Sequence, residues 1–329
     1  MEIDSILKIK NVESIITELT KFLKEQSIKF KKKGVIIGIS GGIDSAVTTA
    51  LSVKALGKEN VLGLIMPEKE SSDESIKFAK LLINQLGIKS EVLDITQKLD
   101  SFNVYDIREN IVKNKFPEFN NECKYRVVVP NKISDMENVI MPFLEVLDKN
   151  GKQNKIKLSL SDYLTLTSAT SIKHRVRMTL EYFYAEKLNY MVVGSTNKSE
   201  WIQGYFVKYG DGGVDLEPLG ELYKTQVYQL AKNLEIPSEI INRPASPDTW
   251  SYNVSDEEFF FGIPYKIMDI LWYSKENNIP ISDISKMIKL DEEKILIILK
   301  EIEKKSLSTE NKRKMPPMWK FGKENNQLI

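Results

Sequence analysis

Six residues, Ser40-Gly41-Gly42-Ile43-Asp44-Ser45, carry the clearest chemical signal in the chain. Gly41 and Gly42 permit positive φ and close backbone approach, so that successive N–H groups converge on an anion. Ser40 and Ser45 add hydroxyl donors, and a helix beginning after the glycines directs its positive end at the same point. Asp44 brings a carboxylate, a ligand type that suits magnesium when phosphate oxygens share its shell. Two glycines also make a sharp turn in any α/β protein; the flanking serines and Asp44 favour the phosphate reading. The spacing is not that of the G-x-x-x-x-G-K-S/T loop. Farther along, Glu200 offers a second hard oxygen ligand, or else a helix-start glutamate favoured by the dipole. Lys224 and Lys208 place compact positive charges suited to phosphates, with a solvated surface lysine as the plainer alternative.

These residues need a scaffold, and the surrounding periodicity supplies one. The apolar run from Gly34 to Ile39 predicts a strand, the loop a tight turn, and Ala46 to Leu56 a helix. Val61 to Met66, Ser75 to Leu86 and Ser90 to Ile95 repeat the pattern as strand, helix and strand. A helix over Ile172 to Leu188 and a strand over Tyr190 to Gly194 resume it later. Such alternation predicts a Rossmann-like α/β fold, a parallel sheet with helices on both faces. Ile15, Ile16, Leu19, Phe22 and Leu23 form an apolar stripe on a helix ahead of the first strand. From about residue 100 to 168 the chain is charged and Asn-rich, with only short apolar clusters such as Val127 to Val129 and Val139 to Met141. It reads as an insertion after the third strand. Apolar stripes over 267–273, 284–288 and 295–302 predict a small helical carboxy-terminal region. The expected division is residues 1–262 for the nucleotide domain with its insertion and 263–329 for the helical region.

Composition narrows the function classes. The 329 residues are 42% hydrophobic, enough for a substantial core. Lys and Arg number 47 against 46 Asp and Glu, so bulk charge argues against a nucleic-acid partner. The Lys31 to Lys33 run reads as a solvated edge. A single cysteine, Cys123, excludes an intramolecular disulfide and a Cys-based zinc site, and fits a reducing compartment. No signal peptide and no apolar run of roughly 18 residues is visible, so a cytoplasmic protein without a membrane span is expected. With His174 as its one histidine, the chain must rest its chemistry on carboxylates, lysines, hydroxyls and backbone. His174 itself reads as a packing or surface residue.

The Ser-Gly-Gly-x-Asp-Ser loop after a strand resembles the pyrophosphate loop of the N-type ATP pyrophosphatases. Val193 to Glu200, Gly204 to Asp215, Leu222 to Val227 and the helix carrying Arg175-Val-Arg-Met178 resemble the ammonia-dependent NAD synthetases among them. The resemblance covers most of residues 34–97 and 172–244. It implies ATP bound by Gly38, Ser40, Gly41, Gly42, Asp44, Ser45, Thr196, Lys224 and Ser246, the last within Asn242-Arg-Pro-Ala-Ser246. It implies an acid substrate met by Arg175, Arg177, Lys208, Asp211, Asp215 and Lys312, and Mg²⁺ held by Asp44 and Glu200. Asp44 and Lys224 are then the catalytic pair. Ser255 to Glu258, leading to Gly262-Ile-Pro-Tyr265, looks like a loop that closes over an intermediate.

The implied reaction is ATP-dependent amidation of deamido-NAD through an acyl-adenylate, by positioning and electrostatics and without a side-chain nucleophile. Only about 33 residues precede the first strand, where glutamine-using relatives carry a fused glutaminase. Ammonia is therefore expected free or from a separate glutaminase subunit, and a homodimer is expected from the family. Three departures lie on the substrate side: the long insertion, Thr170-Ser171 where many relatives have Gly-Asn, and the aromatic run Phe259 to Phe261 before Gly262; near the end, Asn311 also stands in place of a terminal histidine before Lys312. They keep open amidation of another carboxylate, such as a nucleotide-linked sugar acid. A non-catalytic ATP-binding subunit is the alternative from another class, and the presence of Asp44, Glu200 and Lys224 argues against it.

Overall fold

Val35, Ile36 and Ile37 are all buried, and alternate residues enter different cores: Val35 and Ile37 on one face, Ile36 on the other. A strand covered on both sides reads as a continuous apolar run, which is how this one looked in sequence. The computed structural model describes residues 6–133 and 141–319. Val139 and Ile140, two of the three residues of one apolar cluster in the insertion, lie outside the described residues, as do Met1 to Ser5.

Helix α1 (Val12–Lys29), capped by the Asn11 side chain, leads to β1 (Val35–Gly38) and α2 (Ile43–Leu56). β2 (Val61–Ile65), α3 (Asp73–Leu86) and β3 (Lys89–Val92) follow. The main sheet has the order β3-β2-β1-β7, with β7 at Met191–Val192, and every pairing is parallel. Its α1 and α2 side shares a core with α3 and with α8 (Lys224–Asn233). The opposite side is covered by α4 (Thr96–Ser101), α5 (Val104–Lys115) and the long α6 (Leu160–Leu188). This is the parallel sheet with helices on both faces that the alternating pattern predicts.

The segment after β3 is more structured than its sequence shows. α4 and α5 precede an antiparallel sheet of β4 (Lys124–Val128), β5 (Phe143–Leu147) and β6 (Gln153–Lys157), in that spatial order. Val127, Leu144 and Val146 close over Val112, Leu166 and Trp250 in a core of their own. α6 begins at Leu160, twelve residues before the expected Ile172, because Ser159 accepts the Asp162 N–H as its cap.

Two short helices, α7 (Lys198–Gln203) and α9 (Ser238–Ile241), flank α8. A π-helical turn at Glu257–Phe261 ends at Gly262, and α10 (Tyr265–Glu276), α11 (Ile281–Ile288), α12 (Glu292–Ser308) and α13 (Glu310–Arg313) are the last elements among the described residues. Ile270, Ile284, Ile295 and Ile302 bury their side chains together there, with Tyr223 and Leu7 packed in. No helix among the described residues is long and apolar enough to cross a membrane.

Candidate active site

The turn between β1 and α2 has the conformation a glycine is needed for at one position. Gly41 has φ +77°, and a Cβ there would lie 2.3 Å from the Ser75 carbonyl oxygen. Gly42 is extended at φ −91° and caps α2, so its expected positive φ is absent. The Ser40 hydroxyl accepts from Gly42 N–H at 3.2 Å and lies 3.1 Å from the Ser45 hydroxyl, which donates to the Gly42 carbonyl at 3.0 Å. The loop therefore faces a cavity of about 800 Å³ at the carboxyl edge of the sheet, in the size range of small-molecule sites.

Opposite the loop, Lys224 stands at the first position of α8 with 2% of its side chain exposed. Its Nζ donates to Asp44 Oδ2 at 2.5 Å and to Glu200 Oε1 at 3.2 Å. Asp44 Oδ1 accepts from Asn197 Nδ2 at 2.9 Å. Glu200 stands at the start of α7, the helix-start position that sequence allowed it. Its Oε2 completes a capping box with Asn197 at the start of α7, while Oε1 faces Lys224. Burial by itself would lower the Lys224 ammonium, but Asp44 and Glu200 reverse this and hold it well above its ordinary value. Burial pushes Glu200 up, with Lys224 opposing.

Asp256 joins this group from the segment before α10. It accepts from the Tyr205 hydroxyl at 2.8 Å, and its other oxygen lies 3.1 Å from the Tyr265 hydroxyl, itself 3.3 Å from Glu200 Oε1. Burial raises its carboxyl as well. Two carboxylates thus share the Lys224 ammonium, and a third, Asp256, joins them through the Tyr265 hydroxyl. Such a surplus of hard oxygen beside a phosphate-type loop fits a divalent cation that also takes phosphate oxygens. Among the described residues no three acidic, His or Cys side chains form a ready metal cage, so a cation here would draw part of its shell from the nucleotide.

The cavity brings together Gly38, Ser40, Gly42, Asp44, Ser45, Thr196, Glu200, Lys224 and Ser246 from the expected nucleotide residues. Gly41 shapes the turn without lining it. Of the expected substrate residues, Arg177, Asp211 and Lys312 face the cavity. Arg177 Nε donates to the Met66 carbonyl, and Lys312 donates to the carbonyls of Gly204 and Phe206. Arg175, Lys208 and Asp215 lie outside it. Arg175 is exposed on α6, Lys208 donates to the Asn311 carbonyl, and Asp215 accepts from Val192 N–H and the Tyr182 hydroxyl. His174 lines the cavity 3.5 Å from Asp211, with burial holding its imidazole below the ordinary value.

Sequence reasoning missed Asn197, Tyr205, Asp256 and Tyr265, whose common position depends on pairings 9 to 153 residues apart. It also missed Glu181, one turn beyond Arg177 on α6. The Glu181 carboxyl lines the cavity with no hydrogen-bond partner among the described residues, and a Cβ on Gly38 would lie 2.3 Å from its Oε1. The residue just after Arg177-Met-Thr-Leu gave no signal beyond its place on the same helix face.

A parallel α/β sheet whose first strand-to-helix turn faces the cavity, opposed by a lysine between two carboxylates, has the layout of a nucleotide-binding enzyme. The sequence model of the NAD synthase family matches residues 15–142 and 138–316. An NH(3)-dependent NAD(+) synthetase of Rhizobium meliloti (strain 1021) is 37% identical over 268 residues, covering 82% of this chain and 80% of that protein. In fold, the chain is similar to an NMN synthetase from Francisella tularensis, with TM-score 0.66 and 23% identity over 95% of this chain and all of the other. It is also similar to an NH3-dependent NAD synthetase from Campylobacter jejuni, with TM-score 0.61 and 24% identity over 94% and 100%. The chain belongs to the NAD synthase family, whose members use ATP as a substrate.

Proposed function

We propose that the protein joins ammonia to the carboxylate of deamido-NAD at the expense of ATP, giving NAD, AMP and pyrophosphate. The observation that carries this reading is Lys224, held between Asp44 and Glu200 directly across from the Ser-Gly-Gly loop in a nucleotide-sized cavity. In the first step the acid's carboxylate oxygen bonds to the α-phosphorus of ATP as the bond to the bridging oxygen breaks, releasing pyrophosphate. In the second, ammonia bonds to the acyl carbon, AMP leaves and one ammonia proton is lost to solvent.

The chain's own part is positioning and charge. N–H groups of the turn and the Ser40 and Ser45 hydroxyls meet the pyrophosphate, and the Lys224 ammonium, kept charged by Asp44, neutralises charge building on the leaving oxygen. Asp44 and Glu200 would hold magnesium, with phosphate oxygens completing its shell; when bound it would screen the charge of the triphosphate. Thr196 sits beside this group, its N–H fixed by Glu217 Oε2 at 3.0 Å. Arg177, Asp211 and Lys312 are placed to meet the acid substrate. Ammonia enters free or from a separate glutaminase, and two copies of the chain form the working unit, the two-fold dimer being the commonest soluble oligomer; light scattering at assay concentration checks the latter.

The deciding measurement is release of AMP and pyrophosphate with Mg-ATP and ammonium, with and without deamido-NAD. Strict dependence on the dinucleotide is expected. Release driven only by a different acid would keep the ligase chemistry and discard this substrate.

A further inference from the structure

The antiparallel sheet of the insertion has one edge, β4, that does not end in solvent. Segment 251–262, which follows the nucleotide residues and leads to α10, runs along it. Tyr125 N–H donates to the Ser251 hydroxyl at 3.0 Å, and Tyr252 N–H donates back to the Tyr125 carbonyl at 3.1 Å. Val129 N–H donates to the Glu258 carbonyl at 2.8 Å and Lys132 N–H to the Gly262 carbonyl at 2.7 Å. Gly262, at φ +65°, passes so close that a Cβ would lie 2.5 Å from the Pro130 carbonyl oxygen.

Two arginines of the insertion hold the same segment in the same manner. Arg108 on α5 donates to the Thr249 carbonyl at 3.0 Å and lies 4.4 Å above the Trp250 ring. Arg126 in β4 donates to the Asn253 carbonyl at 2.7 Å and lies 4.3 Å above the Tyr252 ring. Each guanidinium is oriented from behind by a carboxylate, Glu70 for Arg108 and Glu145 for Arg126. A planar cation that stacks and donates at once is a use to which lysine is poorly suited. On its other side the held segment presents Asp256 to Tyr205 and Tyr265, and Phe259 and Phe260 to the cavity. Neither arginine lines the cavity.

We propose that Arg126 and Arg108 are positioning residues that keep segment 249–262 closed over the nucleotide site, so that the acyl-adenylate meets ammonia and not water. This rests on the amide-ligase reading. Attack of water on the acyl carbon breaks the same carbon-oxygen bond as ammonia does, and gives AMP with the starting acid in place of the amide. Escape of the intermediate to water therefore appears as AMP formed without NAD.

The test uses the full chain with saturating Mg-ATP and deamido-NAD at low ammonium, measuring AMP and NAD together. The unchanged protein makes one AMP for each NAD. Arg126→Ala, at a position with 14% of the side chain exposed, makes severalfold more AMP than NAD, and Arg126→Lys restores part of the coupling. Asp148→Ala serves as the comparison. Asp148 accepts from Asn150 and Lys152 N–H in the β5–β6 turn, so its loss weakens the same sheet without touching the segment, and it keeps the one-to-one ratio. A one-to-one ratio in Arg126→Ala, or an equal excess in Asp148→Ala, overturns the proposal. If the unchanged protein makes no AMP with deamido-NAD, the ligase reading has failed instead. Amide hydrogen exchange over 249–262 then decides: faster exchange in Arg126→Ala supports the clamp, and unchanged exchange ends it.

Discussion

Lys224 stays charged in a buried site only because Asp44 and Glu200 stand beside it. Removing the lysine leaves two buried carboxylates facing each other, a change that typically costs about 3–5 kcal/mol, so its loss of activity would be hard to read. Asp44 is the better probe, since Asp44→Ala leaves Lys224 paired with Glu200. That variant is expected to lose pyrophosphate release by roughly a thousandfold or more while melting within a few degrees of the parent; retained turnover would remove Asp44 from the chemistry. Glu181 allows a test by pH. Burial pushes its carboxyl up to about 7 from 4.5, with Asp211 adding to the shift and Arg177 opposing it. The folded state therefore holds this proton more tightly than the unfolded one. The group's contribution to stability is full below about pH 4.5 and is lost as pH rises through about 7. Glu181→Gln, which cannot ionise, should melt higher than the parent at pH 8, by an amount on the order of 1 kcal/mol after allowing for water in the cavity. The gap should shrink on going to pH 5; a gap independent of pH would show that Glu181 is not the titrating group.

At the scale of elements, the position of Lys224 is set from α10. Asp269, 1% exposed, accepts from the Ser199 hydroxyl at 2.6 Å, from Thr225 N–H at 3.0 Å and from the Thr225 hydroxyl at 2.9 Å. The Ser199 hydroxyl in turn accepts Lys224 N–H at 2.9 Å. Asp269→Ala strands these donors in a dry site and is expected to cost about 2–4 kcal/mol. It should also raise the KM for ATP, because the first turn of α8 loses its anchor. Thermal melts and pyrophosphate kinetics check both, and an unaltered KM would separate Asp269 from the site. The strand-turn-helix units were legible because each is encoded locally: a short apolar run, a polar turn (with two glycines in the first unit), then a helix-length amphipathic stretch. The insertion was not, because β6 offers Gln-Asn-Lys-Ile-Lys with mostly exposed side chains and exists by pairing with β5. The first turns of α6 were hidden for another reason. Thr165, Thr167, Thr170 and Ser171 disfavour helix by propensity, but their hydroxyls donate to carbonyls four residues back and packing on α5 overrides the preference. The phosphate loop, Glu200 and Lys224 were readable as separate signals. Asp256 and Tyr265 were not, since only the tertiary fold brings them to Lys224.

Over the whole molecule, the cavity is where separately packed cores meet: the loop belongs to the core beneath α2, Phe260 to the carboxy-terminal helices, and Phe259 to the insertion. A ligand that touches all of these walls ties them together, and a nucleotide of the expected size does so. On the function proposed above, its triphosphate approaches Asp44 and Glu200, with Lys224 as the compensating charge between them. Without a divalent cation, repulsion between phosphate and carboxylate opposes binding; with one, the same oxygens become its ligands. Mg-ATP at about a hundred times its Kd should stabilise the fold by about 2.7 kcal/mol, a rise in Tm of about 4 °C for a chain of this size. ATP with EDTA should give a much smaller rise, and magnesium alone almost none, because the carboxylates by themselves do not make a cage. Three melts, with Mg-ATP, with ATP and EDTA, and with magnesium alone, measure the difference directly. Equal shifts with and without magnesium would mean that Lys224 and the turn hold the triphosphate unaided, and would remove the cation from Asp44 and Glu200.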